Sequence, residues 1–318
     1  MGKVSRREFL KQSGIFGTSV AVGTHLSEAN SMSGQPIEPS DQLVGRTFGL
    51  TDVHSKPTLA SAINGQLTPD SVHSFTAMGD WYQTEQGYVL REAVQPILPY
   101  ARPILHNPRE MAEGGFWAEM VAPVSVIRAW CAGHADIVAR LGFGAVVYVM
   151  DQITDSGGQV WYGLAAEPDS ELVGWGSALH FGLWTPSLLP ISAVPTIQID
   201  RLQAKLVVVQ GDQVVYQTTI YAPVLPIATT TIHPVQPGAS LDSTAPLGVA
   251  WLMALHTGQR IYGTFWHNRF GTKYEGVADN QAIELPTFAA RWLYELLISY
   301  QSSDQYRDQP APIIVEIK

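Results

Sequence analysis

Residues 263–297 read GTFWHNRFGTKYEGVADNQAIELPTFAARWLYELL. The second half opens a helix at Leu285-Pro286-Thr287, and Ala289, Trp292, Leu293, Leu296 and Leu297 follow at helical spacing. No other part of the chain carries so clear a helical period. The first half holds the polar groups that matter: His267 between Trp266 and Asn268, then the loop acids Glu275 and Asp279, and Glu284 just before the helix. An imidazole can polarise or deprotonate a bound group, or it can hold a loop in place by hydrogen bonding. Scattered Asp and Glu in a loop are ordinarily solvated.

Outward from this stretch the pattern is β-rich. Thr196–Asp200 alternates, Ala204–Val209 runs apolar to a turn at Gln210-Gly211-Asp212, and Val214–Ile220 returns, which predicts a hairpin. Pro312–Ile317 predicts a closing strand. Between Val44 and Trp184, short β-prone pieces are broken by Gly, Pro, Asn and Asp, a profile of small barrels or sandwiches. A weak repeat lies within them. Trp81-Tyr82, a turn and Gly87-Tyr88-Val89 are echoed by Trp161-Tyr162, a longer turn and Val173-Gly174-Trp175. The spacing suggests a tryptophan opposite an aromatic on the next strand, with glycine permitting close approach. Trp81, Trp161 and Trp175 are expected in the core rather than as exposed sugar platforms. The connection Pro96–Pro108 suits a joint between two such units.

The N-terminus reads Ser5-Arg6-Arg7-Glu8-Phe9-Leu10-Lys11 and then a short, weakly apolar stretch, Gly14–Gly23. Paired arginines ahead of such a stretch mark a twin-arginine export signal, read by the twin-arginine translocase, and Ser27-Glu28-Ala29 offers a small-x-small cleavage site. No segment reaches the roughly 20 apolar residues needed to span a bilayer, so no transmembrane segment is expected in the mature chain. Residues 30–43 read as a linker. Net charge is −9 with no basic run after Lys11, which argues against nucleic acid as a partner. Hydrophobic residues at 46% and charged residues at 15% exclude a disordered chain. The one cysteine, Cys131, cannot pair within its own chain and sits in an apolar run, which predicts a buried residue. His233 and His256 have no metal-like spacing to partner ligands, and neither a phosphate loop nor a dinucleotide fingerprint is present, so no metal or other cofactor is expected.

The stretch from Gly263 resembles the active-site frame of the L,D-transpeptidase (YkuD) family. Gly263, Thr264, Trp266, His267, Asn268, Phe270 and Gly271 match its first motif; Ile283, Leu285, Pro286, Ala290, Trp292 and Leu293 match the segment after its nucleophile. The hairpin over residues 197–220 and the last strand are similar to the same family. The Trp-Tyr and Gly-aromatic pairs resemble bacterial SH3-like domains. The resemblance implies a mainly β protein: an SH3-like domain over residues 44–98, a linker over 99–114, a second SH3-like domain over 115–184, and an L,D-transpeptidase-like domain over 195–318 with one C-terminal helix.

It also implies a site that has lost its chemistry. Asp279, Asn280, Gln281 and Ala282 stand where the family has Ser-His-Gly-Cys, and Tyr262 replaces its first histidine. Acyl transfer by this route needs a thiolate, a base and oxyanion donors. Ala282 supplies no nucleophile, Asn280 no base, Tyr262 a group that titrates far above neutrality, and Gln281 a side chain where glycine allows close approach. Tyr262, His267, Asn280, Gln281 and Ala282 thus mark a degenerate site, with Trp266, His267, Asn268 and Glu284 left as ligand-binding candidates. The expected function is that of an exported cell-envelope protein without transpeptidase activity that binds peptidoglycan or an envelope protein. The alternative is a transpeptidase or hydrolase working without cysteine.

Overall fold

The computed structural model describes residues 42–97, 114–223, 225–241, 247–272, 282–304 and 311–318. The expected signal and all but residues 42, 43 and 114 of the expected linkers, with Glu275, Asp279, Asn280 and Gln281, lie outside them. The described residues are mainly β, in three sheets, with one α-helix near the C-terminus.

The first sheet comprises β1 (Gln42–Thr47), β2 (Thr51–His54), β3 (Ile63–Leu67), β4 (Val72–Met78), β5 (Trp81–Thr84), β6 (Gly87–Leu90) and β7 (Val94–Ile97). The second comprises β8 (Phe116–Met120), β9 (Val124–Arg128), β10 (Ile137–Gly142), β11 (Val146–Thr154), β12 (Val160–Ala165), β13 (Gly174–Ser177) and β14 (Phe181–Leu183). Strand order is β3-β2-β6-β5-β4-β1-β7 in one and β10-β9-β13-β12-β11-β8-β14 in the other. The two orders are the same when each strand is counted from the start of its sheet. A short 3-10 turn precedes the last strand in both, at Arg91–Ala93 and Ala178–His180. Each sheet wraps a small core, Val53, Phe75, Tyr82 and Val89 in the first and Ile127, Leu141, Tyr162 and Leu164 in the second.

Register corrects two expectations about the aromatics. Trp81 pairs with Leu90 and Tyr88 with Gln83, while Trp161 pairs with Ser177, so none of Trp81, Trp161 and Trp175 stands directly opposite an aromatic. Trp175 instead lies opposite Gly163, where a Cβ would come within 3.3 Å of its ring. Trp81 is half-buried against His54, and its neighbour Tyr82 takes the core position, because the alternation of β5 turns Tyr82 inward. Trp161 and Trp175 are buried around Cys131.

The third sheet comprises β15 (Pro195–Asp200), β16 (Lys205–Gln210), β17 (Gln213–Thr219), β18 (Ala228–Ala239), β19 (Val249–Leu255), β20 (Arg260–Thr264), β21 (Ala282–Pro286) and β22 (Ile313–Ile317), in the order β17-β16-β15-β22-β18-β19-β20-β21. The predicted hairpin is β16–β17, and the alternating stretch before it is β15, paired on the other side of β16. The predicted last strand, β22, inserts parallel to β15. Strands β20 and β21 are also parallel, with Tyr262 beside Glu284 and Thr264 beside Pro286. Helix α1 (Thr287–Ser302) begins directly after β21, so Leu285 and Pro286 end a strand rather than open the helix. The helix buries Ala289, Ala290, Leu293, Leu296 and Leu297 on the sheet, and Trp292 packs on Tyr216 with ring centroids 4.4 Å apart. Each fully buried large aliphatic side chain contributes roughly 1.5–3 kcal/mol.

The sheets are joined by polar contacts as well as apolar ones. Val146 N–H donates to the Gly248 carbonyl at 3.1 Å, linking the second sheet to the third. Arg291 of α1 pairs with Glu119 of β8 at 2.7 Å, and Trp184 donates to Glu295 of α1 at 3.2 Å. Gly144, in the turn between β10 and β11, has a φ of +79° and faces Thr287 so closely that a Cβ would strike its hydroxyl.

Candidate functional site

On β20 and β21 the side chains alternate between two faces. Ile261, Ile283 and Leu285 enter the core under α1, whereas Tyr262, Ala282 and Glu284 lie on the opposite face. Ala282 is 4% exposed and packs with Ala239, Val249, Leu252 and Tyr262, with Trp266 against the same cluster. Ala282 therefore sits in an apolar nest.

Two positions along β21, Glu284 is the acid of a compact polar group. One of its carboxylate oxygens is bound to His267 Nε2, and the other accepts from Tyr262 Oη at 3.3 Å. His267 Nδ1 accepts the Arg269 backbone N–H at 3.2 Å, so the ring carries its proton on Nε2 and directs it at Glu284. Both ring nitrogens are thus occupied. The ring of Tyr221 stands edge-on to His267, centroids 5.0 Å apart, and the backbone of Tyr221 exchanges two hydrogen bonds with Glu284, at 2.9 and 2.8 Å. That exchange joins the chain leaving β17 to β21. Nothing in the sequence around Tyr221 marks it, since it carries no motif and meets Glu284 only through strand pairing.

The loop after β20 is held from outside the third sheet. Asn268 Nδ2 donates to the carbonyls of Arg91 (3.1 Å) and Val94 (2.9 Å) in the first sheet. Arg46 of β1, 5% exposed, donates to the Phe265 carbonyl (3.0 Å), to Gln95 Oε1 (3.1 Å) and to Asp70 (2.9 Å). Gln95 in turn donates to the Phe143 carbonyl of the second sheet at 2.7 Å. One buried guanidinium and one amide therefore touch all three sheets. Burial lowers the pKa of Arg46, and Asp70 opposes that shift.

Between the first sheet and the third lies a cleft of about 800 Å³. Leu43, Ala77, Tyr82 and Arg91 form one wall; Lys205, Val214 and Thr218 form the other; Thr264, His267, Asn268, Pro286 and Thr287 form the floor. Of the candidates named from sequence, His267 and Asn268 line this cleft. Trp266, Tyr262, Ala282 and Glu284 stand behind it, and Asn280 and Gln281 fall outside the described residues. Burial raises the pKa of the Tyr82 phenol, with Arg91 and Asn268 pulling it back, so the phenol is neutral near pH 7. Among the described residues no three His, Cys, Asp or Glu side chains gather as metal ligands would. None of their helices is long and apolar enough to cross a membrane.

No protein-family model and no curated protein matches the chain. Among the solved structures to which it is similar are L,D-transpeptidases. That from Stackebrandtia nassauensis matches with a TM-score of 0.30 and 14% identity over 40% of this chain and 56% of its own. One from Mycobacterium tuberculosis H37Rv matches with 0.31 and 12% over 71% and 90%, and one from Mycobacterium smegmatis with 0.28 and 14% over 63% and 99%. The chain spans about half the length of the first of these.

Proposed function

We propose that this chain is an exported cell-envelope protein: two SH3-like modules ahead of an L,D-transpeptidase-like domain that has no transpeptidase activity. In this reading it acts by binding peptidoglycan or an envelope partner. The observation that carries it is Ala282, buried in an apolar nest at the position aligned with the family's nucleophile. Two others support it. His267 has both ring nitrogens engaged inside the protein. Cys131 is packed among Trp161, Trp175 and Ile153 in the second sheet, so it offers no substitute thiolate. The matching order of strands in the first two sheets supports a pair of related modules.

The test is paired. Purified protein is sedimented with peptidoglycan sacculi, and separately incubated with stem peptides or a carbapenem and weighed intact. Binding without adduct or turnover is the expected result. An adduct or a cross-linked product refutes the loss of activity; failure to sediment, with no envelope partner captured, refutes the binding role.

The buried carboxylate–imidazole contact of Glu284 and His267 favours a second reading, an enzyme of non-cysteine mechanism. Stem-peptide cleavage that Glu284→Gln abolishes would select it.

A further inference from the structure

We propose that the floor of the cleft between the first and third sheets is an oxyanion site, built to receive one carboxylate or phosphoryl group of a small ligand. The first ground is the end of α1. The helix is 16 residues long, its N-cap Pro286 offers no capping side chain, and its first turn contains no acid. Among the described residues, the N–H groups of Phe288 and Ala289 find no acceptor outside the helix. Pro286, Thr287 and Phe288 line the cleft, so the positive end of the helix dipole opens onto it.

The second ground is independent. Thr264 is 2% exposed, lines the same cleft, and its hydroxyl has no hydrogen-bond partner. It lies beside Pro286 in the β20–β21 register, at the start of the helix. A buried hydroxyl left unpaired is destabilising, and a ligand oxygen is the acceptor it lacks.

Charge points the same way. The chain has 28 acidic and 19 basic residues, yet the described residues lining the cleft include Arg91 and Lys205 and no Asp or Glu. Neither cation has an acidic partner among the described residues. The nearest acid on the floor side, Glu284, is turned to His267 and Tyr262 and does not line the cleft. His267 lines it but has no free ring nitrogen to offer, and Tyr82 faces it as a neutral phenol. Leu43, Ala77, Val214 and Phe270 supply apolar walls, and about 800 Å³ falls within the ~300–1,000 Å³ of small-molecule pockets. The fitting ligand has an anionic head at Thr264 and the helix end, and a body of modest polarity. The site does not depend on the proposed function, since an enzyme could use it as readily as a binding protein.

The full chain is titrated with N-acetylalanine, N-acetylalanine amide and inorganic phosphate, read by calorimetry and by thermal shift, for the wild type, Thr264→Val and Lys205→Gln. At least one of the two anions binds saturably and raises the Tm, while the amide does neither. Each variant weakens that binding about tenfold or more, as expected for loss of a hydrogen bond or charge aimed at an anion. Thr264→Val also keeps or raises the Tm of the free protein, because it removes an orphaned hydroxyl; a merely structural threonine would lower it. Binding of phosphate alone assigns a phosphoryl ligand, and binding of N-acetylalanine alone assigns a carboxylate such as a peptide C-terminus. The proposal is overturned if neither anion binds saturably, if the amide binds as well as the acid, or if the variants bind like the wild type. Should Thr264→Val fail to fold, Lys205→Gln decides the question alone.

Discussion

Replacing Arg46 with methionine keeps the aliphatic stem in place and removes the guanidinium that joins the first sheet to the loop after β20. Two of its acceptors are deeply covered: the Phe265 carbonyl at 3.0 Å and Gln95 Oε1 at 3.1 Å. Each loses its donor without gaining water, at about 1–3 kcal/mol apiece. The third, Asp70, is 22% exposed and keeps Arg140 at 3.5 Å, so its share falls in the ~0–1 kcal/mol range of exposed pairs. Against these stands relief from dehydrating a cation, the same effect that lowers the Arg46 pKa. The balance is a loss of about 2–4 kcal/mol. Urea unfolding with linear extrapolation measures it, and amide exchange over residues 265–272 reports whether the loop loosens with it. Asp70→Asn serves as the control, with an expected loss under about 1 kcal/mol. A loss below about 1 kcal/mol for Arg46→Met, with loop amides as protected as before, would refute the reasoning.

Three further outcomes follow from the geometry. Ala282→Cys places sulfur among Ala239, Val249 and Leu252, so it should destabilise by about 1–3 kcal/mol and leave a thiol that reacts only on unfolding. Intact mass after carbapenem treatment checks this, and an adduct on the variant would mean that the nucleophile alone was missing. Gly144→Ala forces a Cβ into Thr287 at a φ of +79°, and the expected loss of about 1–3 kcal/mol is read from thermal unfolding. Burial lowers the pKa of His180 from its ordinary 6.5, so in the acidic window below that value the unfolded chain binds the proton more tightly. The contribution of His180 to stability is then level above pH 6.5 and falls as pH drops toward the folded pKa. His180→Gln should flatten that slope in urea midpoints taken from pH 7 to pH 5, and an unchanged slope would exclude His180 as its source.

Much of the third sheet was legible because its signals are local. The alternation of Thr196–Asp200 and Val214–Thr219, the Gly211 turn and the spacing from Ala289 to Leu297 each follow from a few neighbouring side chains, and they correspond to β15–β17 and α1. The aromatic repeat was visible as well, but its pairing was not. Register depends on which residue a turn sets opposite which, and Trp81 fell opposite Leu90. At the site, motif matching drew attention to His267 and Asn268. It gave Thr264 no role and passed over Tyr221, Arg46 and Gln95, because their partners lie between 24 and 219 residues away in the chain or in strand register rather than in sequence.

By itself, the sequence determined the β-rich class, the late helix and the absence of a cysteine at position 282, since composition, periodicity and residue identity are properties of the chain alone. Only the tertiary structure decided that Ala282 is sealed in an apolar nest, that His267 spends both ring nitrogens on Glu284 and the Arg269 backbone, and that the open cleft lies instead over Thr264 and the start of α1. The physical reason is that a side chain's chemistry depends on which partners and how much water surround it. Those are set by strand order and by the docking of one sheet on another, through contacts such as Arg46 to Phe265 that no local pattern encodes.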